Sequence, residues 1–185
     1  MLGDQSRRAI VRERMKLLLQ AHLDEIKPVK LIGEPGEIIL RQGEPANRVL
    51  LLVDGAVTIE VHHNSGIPKV LTIVEAEELL GELGLLGNGQ HSADVRVTDK
   101  PAEFIAVDAN KFMRALLYDA DLSIDLLGLV SQRCIQANGI ISDLMDGISA
   151  AYHGDEKALR KTAQQLRLHK YSLAEAADLL VDLKR

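Results

Sequence analysis

The sequence predicts an α+β protein in which a small β sandwich, barrel or jelly roll is flanked by helices. Two observations carry this expectation. Between Val29 and Val107, short apolar runs rich in Val, Ile and Leu are separated by turn residues, as in closely spaced strands. Outside that span the apolar residues recur at three-four spacing instead, the period of an amphipathic helix.

The elements follow in order. Ser6 to Ile26 is predicted helical, with Ile10, Val11, Leu18, Leu19 and Leu23 alternating with charged residues until Pro28 ends the pattern. The basic cluster at its start, Arg7, Arg8, Arg12 and Arg14, reads as a solvated helix face. Strands are expected over Val29–Ile32, Glu37–Leu40, Arg48–Val53, Ala56–Val61, Lys69–Val74, Asp94–Thr98 and Ala102–Val107. Asp54-Gly55, between two apolar runs, predicts a tight hairpin. Asp108 suits the N-cap of a helix through Lys111, Phe112, Arg114 and Leu117. A longer helix is expected from about Leu122 to Met145, with Leu127, Val130, Cys134, Ala137, Ile141 and Leu144 as a short coiled-coil seam. The tail reads as two helices, Asp155 to Leu168 and Ser172 to Leu183, the second with Ser172 and Glu175 at capping-box spacing. The expected organisation is therefore an N-terminal helix (1–27), a central domain (28–145, its long helix 121–145) and a helical tail (146–185).

The totals narrow the function. A composition 46% hydrophobic and 26% charged is that of an ordinary globular chain, and a net charge of -5 argues against a generic nucleic-acid surface. No apolar run is long enough to span a bilayer. The one cysteine, Cys134, excludes an internal disulfide framework and fits a reducing, cytoplasmic setting. None of the six histidines forms a zinc-spaced cluster with cysteine, and the adjacent His62 and His63 would point to opposite faces of a strand. No metal site, no nucleophile elbow and no phosphate-binding Walker loop is found, so no catalytic residue is expected and an enzyme is not indicated.

One stretch, Gly81 to Val95 (GELGLLGNGQHSADV), carries the chemistry. A glycine and a carboxylate open a short apolar turn, where unpaired backbone N–H groups suit an anion and glycine permits close approach. Together with Pro35-Gly36-Glu37-Ile38-Ile39-Leu40-Arg41-Gln42-Gly43-Glu44 and Leu52-Val53-Asp54-Gly55-Ala56-Val57, the segment Gly81-Glu82-Leu83-Gly84-Leu85-Leu86 resembles the cyclic nucleotide-binding domain of the catabolite activator protein superfamily. The resemblance covers roughly two-thirds of the chain. It implies an eight-stranded antiparallel jelly roll (a double-stranded β-helix), a short phosphate-cassette helix and a long C-terminal dimerisation helix.

It also implies a site. Glu82 matches the glutamate that accepts the ribose 2′-hydroxyl, a task suited to an acceptor-only carboxylate. The backbone at Gly81 and Leu83 matches N–H groups near ribose and phosphate, and Ser92 and Ala93 match the small residues after the phosphate-clamping arginine. Arg133, Ala137 and Asn138 fall where members place long-helix residues near the nucleotide. His91 departs from the pattern: it stands in the arginine's place, with at most one donor for the phosphate and a charge that depends on pH. The implied protein is a non-enzymatic, homodimeric sensor of a cyclic nucleotide, cyclic AMP before cyclic GMP, relaying ligand state to an unidentified protein partner. A non-binding scaffold and a truncated transcriptional regulator stand as alternatives. Only about forty residues follow Met145, short for a winged DNA-binding module, and direct DNA binding is not expected.

Overall fold

Alternation along the strands sorts the interior into two compartments. A computed structural model describes residues 10–11, 13–17, 26–62, 66–168 and 171–182. The strands are β1 (Val29–Gly33), β2 (Ile38–Leu40), β3 (Arg48–Asp54), β4 (Ala56–Val61), β5 (Lys69–Glu75), β6 (Leu79–Leu80), β7 (Asp94–Val97) and β8 (Ala102–Asp108). They form two four-stranded sheets, ordered β1-β8-β3-β6 and β2-β7-β4-β5, with every pairing antiparallel. On β3, Leu50 and Leu52 face the opposite sheet and pack with Val57, Val95, Val97 and Phe104. Val49, on the other face, packs with Phe112, Leu122, Leu126 and Leu129 from the helices. The eight-strand jelly roll is as expected; β6, only two residues long, carried too little pattern to be read.

The hairpin expected at Asp54-Gly55 is not one. β3 pairs with β6 and β8, whereas β4 pairs with β5 and β7, so Gly55 turns the chain from one sheet to the other. Its φ of 90° and the closeness of Ala102 Cα, 2.8 Å from where a Cβ would stand, both require glycine. The signal for a sharp turn was correct, but a turn residue does not specify which sheet receives the next strand.

Beyond β1 the described residues form helices α1 (Glu82–Leu86), α2 (Ala109–Tyr118), α3 (Ala120–His153), α4 (Glu156–Leu168) and α5 (Tyr171–Asp182). Asp108 caps α2, accepting the Asn110 and Lys111 N–H groups at 3.0 and 3.1 Å, and Asp119 caps α3 through the Leu122 N–H at 2.9 Å. α3 runs on past Met145, the expected end, to Gly154, whose left-handed φ of 69° closes it. Its last turns bury Gly147 and Ala150 against Leu159, Thr162, Ala163 and Leu180 of the tail. That contact, between segments distant from the pattern being read, extends the helix.

The expected helix Ser6–Ile26 lies partly outside the described residues; within them, residues 10–11 and 13–17 are helical. Val11 and Met15 are buried against α2 and α3. Arg14 departs from the expected solvated face, meeting Asp121 at 3.1 Å and Asp125 at 2.9 Å, while Arg7, Arg8 and Arg12 lie outside the described residues. The outward stripe of α3 differs from the expected seam. Leu127, Cys134, Ala137 and Ile141 are exposed, but Val130 is half-buried and Leu144 packs against the tail helices. The fully exposed stripe is Ile124, Leu127, Ser131, Cys134, Asn138, Ile141, Met145, Ile148 and Tyr152, an unbroken alternation of three and four.

Candidate functional site

Gly81 ends β6 and caps α1 in the left-handed conformation, at φ 87°. A Cβ there would stand 3.1 Å from Leu40 Cδ1, 3.2 Å from the Arg48 carbonyl and 3.3 Å from His91 Cε1, so the absence of a side chain brings strand, turn and histidine together. Gly84 is equally constrained, with the Gln90 carbonyl 2.5 Å from a hypothetical Cβ. The loop then returns along residues 43–46. Ala46 donates to the Gly89 carbonyl (2.8 Å), His91 to Glu44 (2.9 Å) and Gly43 to His91 (2.8 Å).

Glu82 is 1% exposed and Glu78 is 5% exposed, side chains that would be costly to bury as unpaired charges. Arg133 of α3 meets both, Nη1 donating to Glu82 and Nη2 to Glu78, with a further bond from Nη2 to the Leu79 carbonyl at 3.3 Å. The expected ribose acceptor and the expected long-helix cation are thus brought together, on each other. One guanidinium bridges the turn before α1 and the middle of the long helix.

His91 is 5% exposed, and its Nδ1 is buried without a hydrogen-bond partner. Burial first, and then the positive charge of Arg48, lower its pKa below the usual histidine value, with Glu44 opposing them. Arg48 itself donates from Nη2 to the Ile39 carbonyl at 2.7 Å. Ser92 and Leu83 are exposed and Ala93 is half-buried. Ala137 and Asn138 are exposed on α3 and join neither Glu82 nor His91 within this chain.

A second polar cluster was missed from the sequence. Glu60, His62 and Asp94 offer ligand-type atoms that all lie within 4.8 Å of one another. Along the sequence His62 has no cysteine or histidine partner at zinc-type spacing; the pairing of β4 with β7, which places Glu60 directly opposite Asp94, brings the three side chains together instead. No spacing in the linear sequence reports that register. His63 lies outside the described residues. Among the described residues, no helix is long and apolar enough to cross a membrane.

Residues 33–119 match the family described as the cyclic nucleotide-binding domain. Among curated proteins, the chain is similar to the global nitrogen regulator of Synechococcus elongatus, 31% identical over 113 residues, 60% of this chain and 50% of that protein. It is also similar to the CRP-like cAMP-activated global transcriptional regulator of Mycobacterium tuberculosis, 23% identical over 110 residues, 60% of this chain and 49% of that protein. The chain spans about half the length of the curated relatives it matches. In three dimensions it resembles the catabolite activator protein of Thermus thermophilus, with a TM-score of 0.62 and 22% identity over 92% of this chain and 80% of that one, a likeness of fold.

Proposed function

We propose that this chain, whose residues 33–119 form a cyclic nucleotide-binding domain of the catabolite activator protein superfamily, is a non-enzymatic sensor. It binds a cyclic nucleotide, cyclic AMP in preference to cyclic GMP, at Gly81, Glu82, Leu83, His91, Ser92 and Ala93. The observation that carries this reading is the bridge from Arg133 to the buried Glu82. A nucleotide hydroxyl that hydrogen-bonds Glu82 must share it with, or take it from, a side chain of α3. Occupancy of the cassette and the position of the long helix are then linked, which is the differential interaction that any ligand-driven shift requires. The single cysteine favours a reducing, cytoplasmic setting.

Calorimetry with cyclic AMP and cyclic GMP tests the reading, and no heat and no thermal shift at millimolar nucleotide would exclude it. His91 adds a signature. A bound phosphate favours the imidazolium that burial and Arg48 disfavour, so binding takes up a proton and tightens as pH falls from neutral. His91→Arg, which supplies a permanent charge, tightens it further; affinity indifferent to both changes would remove His91 from the phosphate contact. Without ligand the sign reverses for stability. An unfolded histidine protonates near 6.5 while the buried one resists, so His91 makes the fold lose stability as pH drops below 6.5.

The chain acts as a homodimer through the exposed stripe of α3, where Leu127 is 64%, Ile141 54%, Met145 65% and Ile148 59% exposed. Stripes of this period bury themselves against a second helix, and Asn138 within the stripe favours one register. In a parallel, two-fold pair each Cys134 faces its own copy. Mild oxidation with copper-phenanthroline is expected to give a covalent dimer on a non-reducing gel, lost in Cys134→Ser. A monomer by sedimentation at high concentration would contradict the dimer. The tail packed on the end of α3 is the segment through which the ligand state reaches a protein partner.

A further inference from the structure

On β7, Val95 and Val97 point into the core between the sheets, so Asp94 and Arg96 stand on the outer face of the same sheet. Asp94 lies opposite Glu60 of β4, and both are buried, at 1% and 6% exposure. Two carboxylates directly opposed across a sheet repel, and burial sharpens the cost. Arg96 answers one of them, its Nε standing 3.2 and 3.1 Å from Glu60 Oε1 and Oε2. Asp94 receives the Gln42 N–H at 2.6 Å and the His62 ring Nε2 at 2.8 Å, a partner charged only when protonated. Among the described residues, the pair of acids therefore has one permanent cation hydrogen-bonded to it, Arg96.

The three side chains are held as ligands are held. Thr58 Oγ1 donates to Glu60 Oε1 at 2.8 Å, which leaves Oε2 with Arg96 alone. The Gln42 N–H occupies Asp94 Oδ1 and leaves Oδ2 facing the imidazole. The Gln42 side chain grips the backbone of His62 at both ends, accepting its N–H at 2.7 Å and donating to its carbonyl at 3.3 Å. Outer-shell bonds of this kind fix the orientation of metal ligands. The His62 side chain is 36% exposed, which gives an ion a route in and leaves a position for water.

We propose that Glu60 Oε2, His62 Nε2 and Asp94 Oδ2 form a site for a divalent transition-metal ion of the zinc type. Nitrogen and carboxylate oxygen are ligands zinc accepts at about 2.0–2.2 Å, which places ligand atoms roughly 3.3 Å apart around a tetrahedral ion. The cluster spans at most 4.8 Å, so side-chain rotation closes it without moving the strands. An imidazole ligand disfavours magnesium, which prefers oxygen and keeps its water. The site is independent of the nucleotide-binding reading, although Asp94 begins the strand on which the cassette ends and Gln42 precedes Gly43, which donates to His91.

The test uses the full chain, stripped with a chelator, dialysed and titrated with Zn²⁺ against a chromophoric chelator. One ion per chain and a raised melting temperature are expected, with no response to Mg²⁺ at the same concentration. His62→Ala, at a half-exposed side chain, is expected to weaken binding roughly tenfold or more. Asp94→Asn should do the same with an unchanged circular dichroism spectrum, while His153→Ala on α3 should leave binding as it was. Zinc uptake that survives His62→Ala, or that is lost in His63→Ala instead, overturns the assignment. Failure to bind zinc overturns it as well, leaving His62 and Asp94 a plain hydrogen-bonded pair.

Discussion

Arg133→Met is expected to destabilise the fold by about 3–5 kcal/mol, the usual consequence of removing one partner from a buried ionic cluster. The side chain touches two carboxylates at once, Glu82 and Glu78, and their exposures of 1% and 5% leave little water to take its place. Methionine preserves most of the aliphatic stem, so the loss reports the charge and not the packing. Denaturant unfolding measures it as a lower midpoint at unchanged slope. Adding Glu82→Gln to the variant should recover part of the loss, because the charge left at Glu82 is then gone. A cost below about 1 kcal/mol would mean that Arg133 is an exposed ion pair in solution. In that event the proposed link between the cassette and α3 loses its physical basis.

Phe104→Ala is expected to cost about 3–5 kcal/mol, the range for deleting a buried aromatic ring. Phe104 is 1% exposed and fills the space between the sheets. Gly33 lies against the ring, so close that a Cβ on it would stand 3.2 Å from Phe104 Cε2, and it has no side chain to move into the void. Phe104→Leu should lose less, since it retains more of the volume. Thermal unfolding of the two variants separates cavity from chemistry. Similar losses in both would indicate that the ring's shape, and not its bulk, holds the sheets together.

What the sequence disclosed follows from the range of the forces involved. Strands β1 to β5, β7 and β8 were legible because alternation and turn residues are local, and so was the N-cap at Asp108. Gly55 shows the limit: its turn was evident, but the destination of the following strand depends on β8, whose Ala102 stands against it. The far end of α3 was missed because the contacts that prolong it come from Leu159, Thr162 and Leu180. At the candidate site, the stretch from Gly81 to Ala93 is singled out by its resemblance, and Glu82 and Arg133 are each named from it, but not as partners of one another. Glu78 gave no signal, since a glutamate beside a short strand looks like any surface residue. The cluster of Glu60, His62 and Asp94 was invisible for a similar reason, its members being joined by strand register across 34 positions of chain.

The long helix has a mechanical consequence. At 34 residues α3 is about 51 Å long. Its first turns are clamped to the jelly roll through Leu122, Leu126 and Leu129, and its last to the tail through Gly147 and Ala150. Between the clamps most side chains are exposed, and Arg133 ties the span to the jelly roll through Glu82 and Glu78. Such a strut can carry torque from one end to the other only if its span stays stiff. Gly139 sits in that span with nothing within 4 Å of where a Cβ would be, and glycine within a helix is about 1 kcal/mol less favourable than alanine. The stiffness of the strut is set at its softest joint, and Gly139 is placed to be that joint.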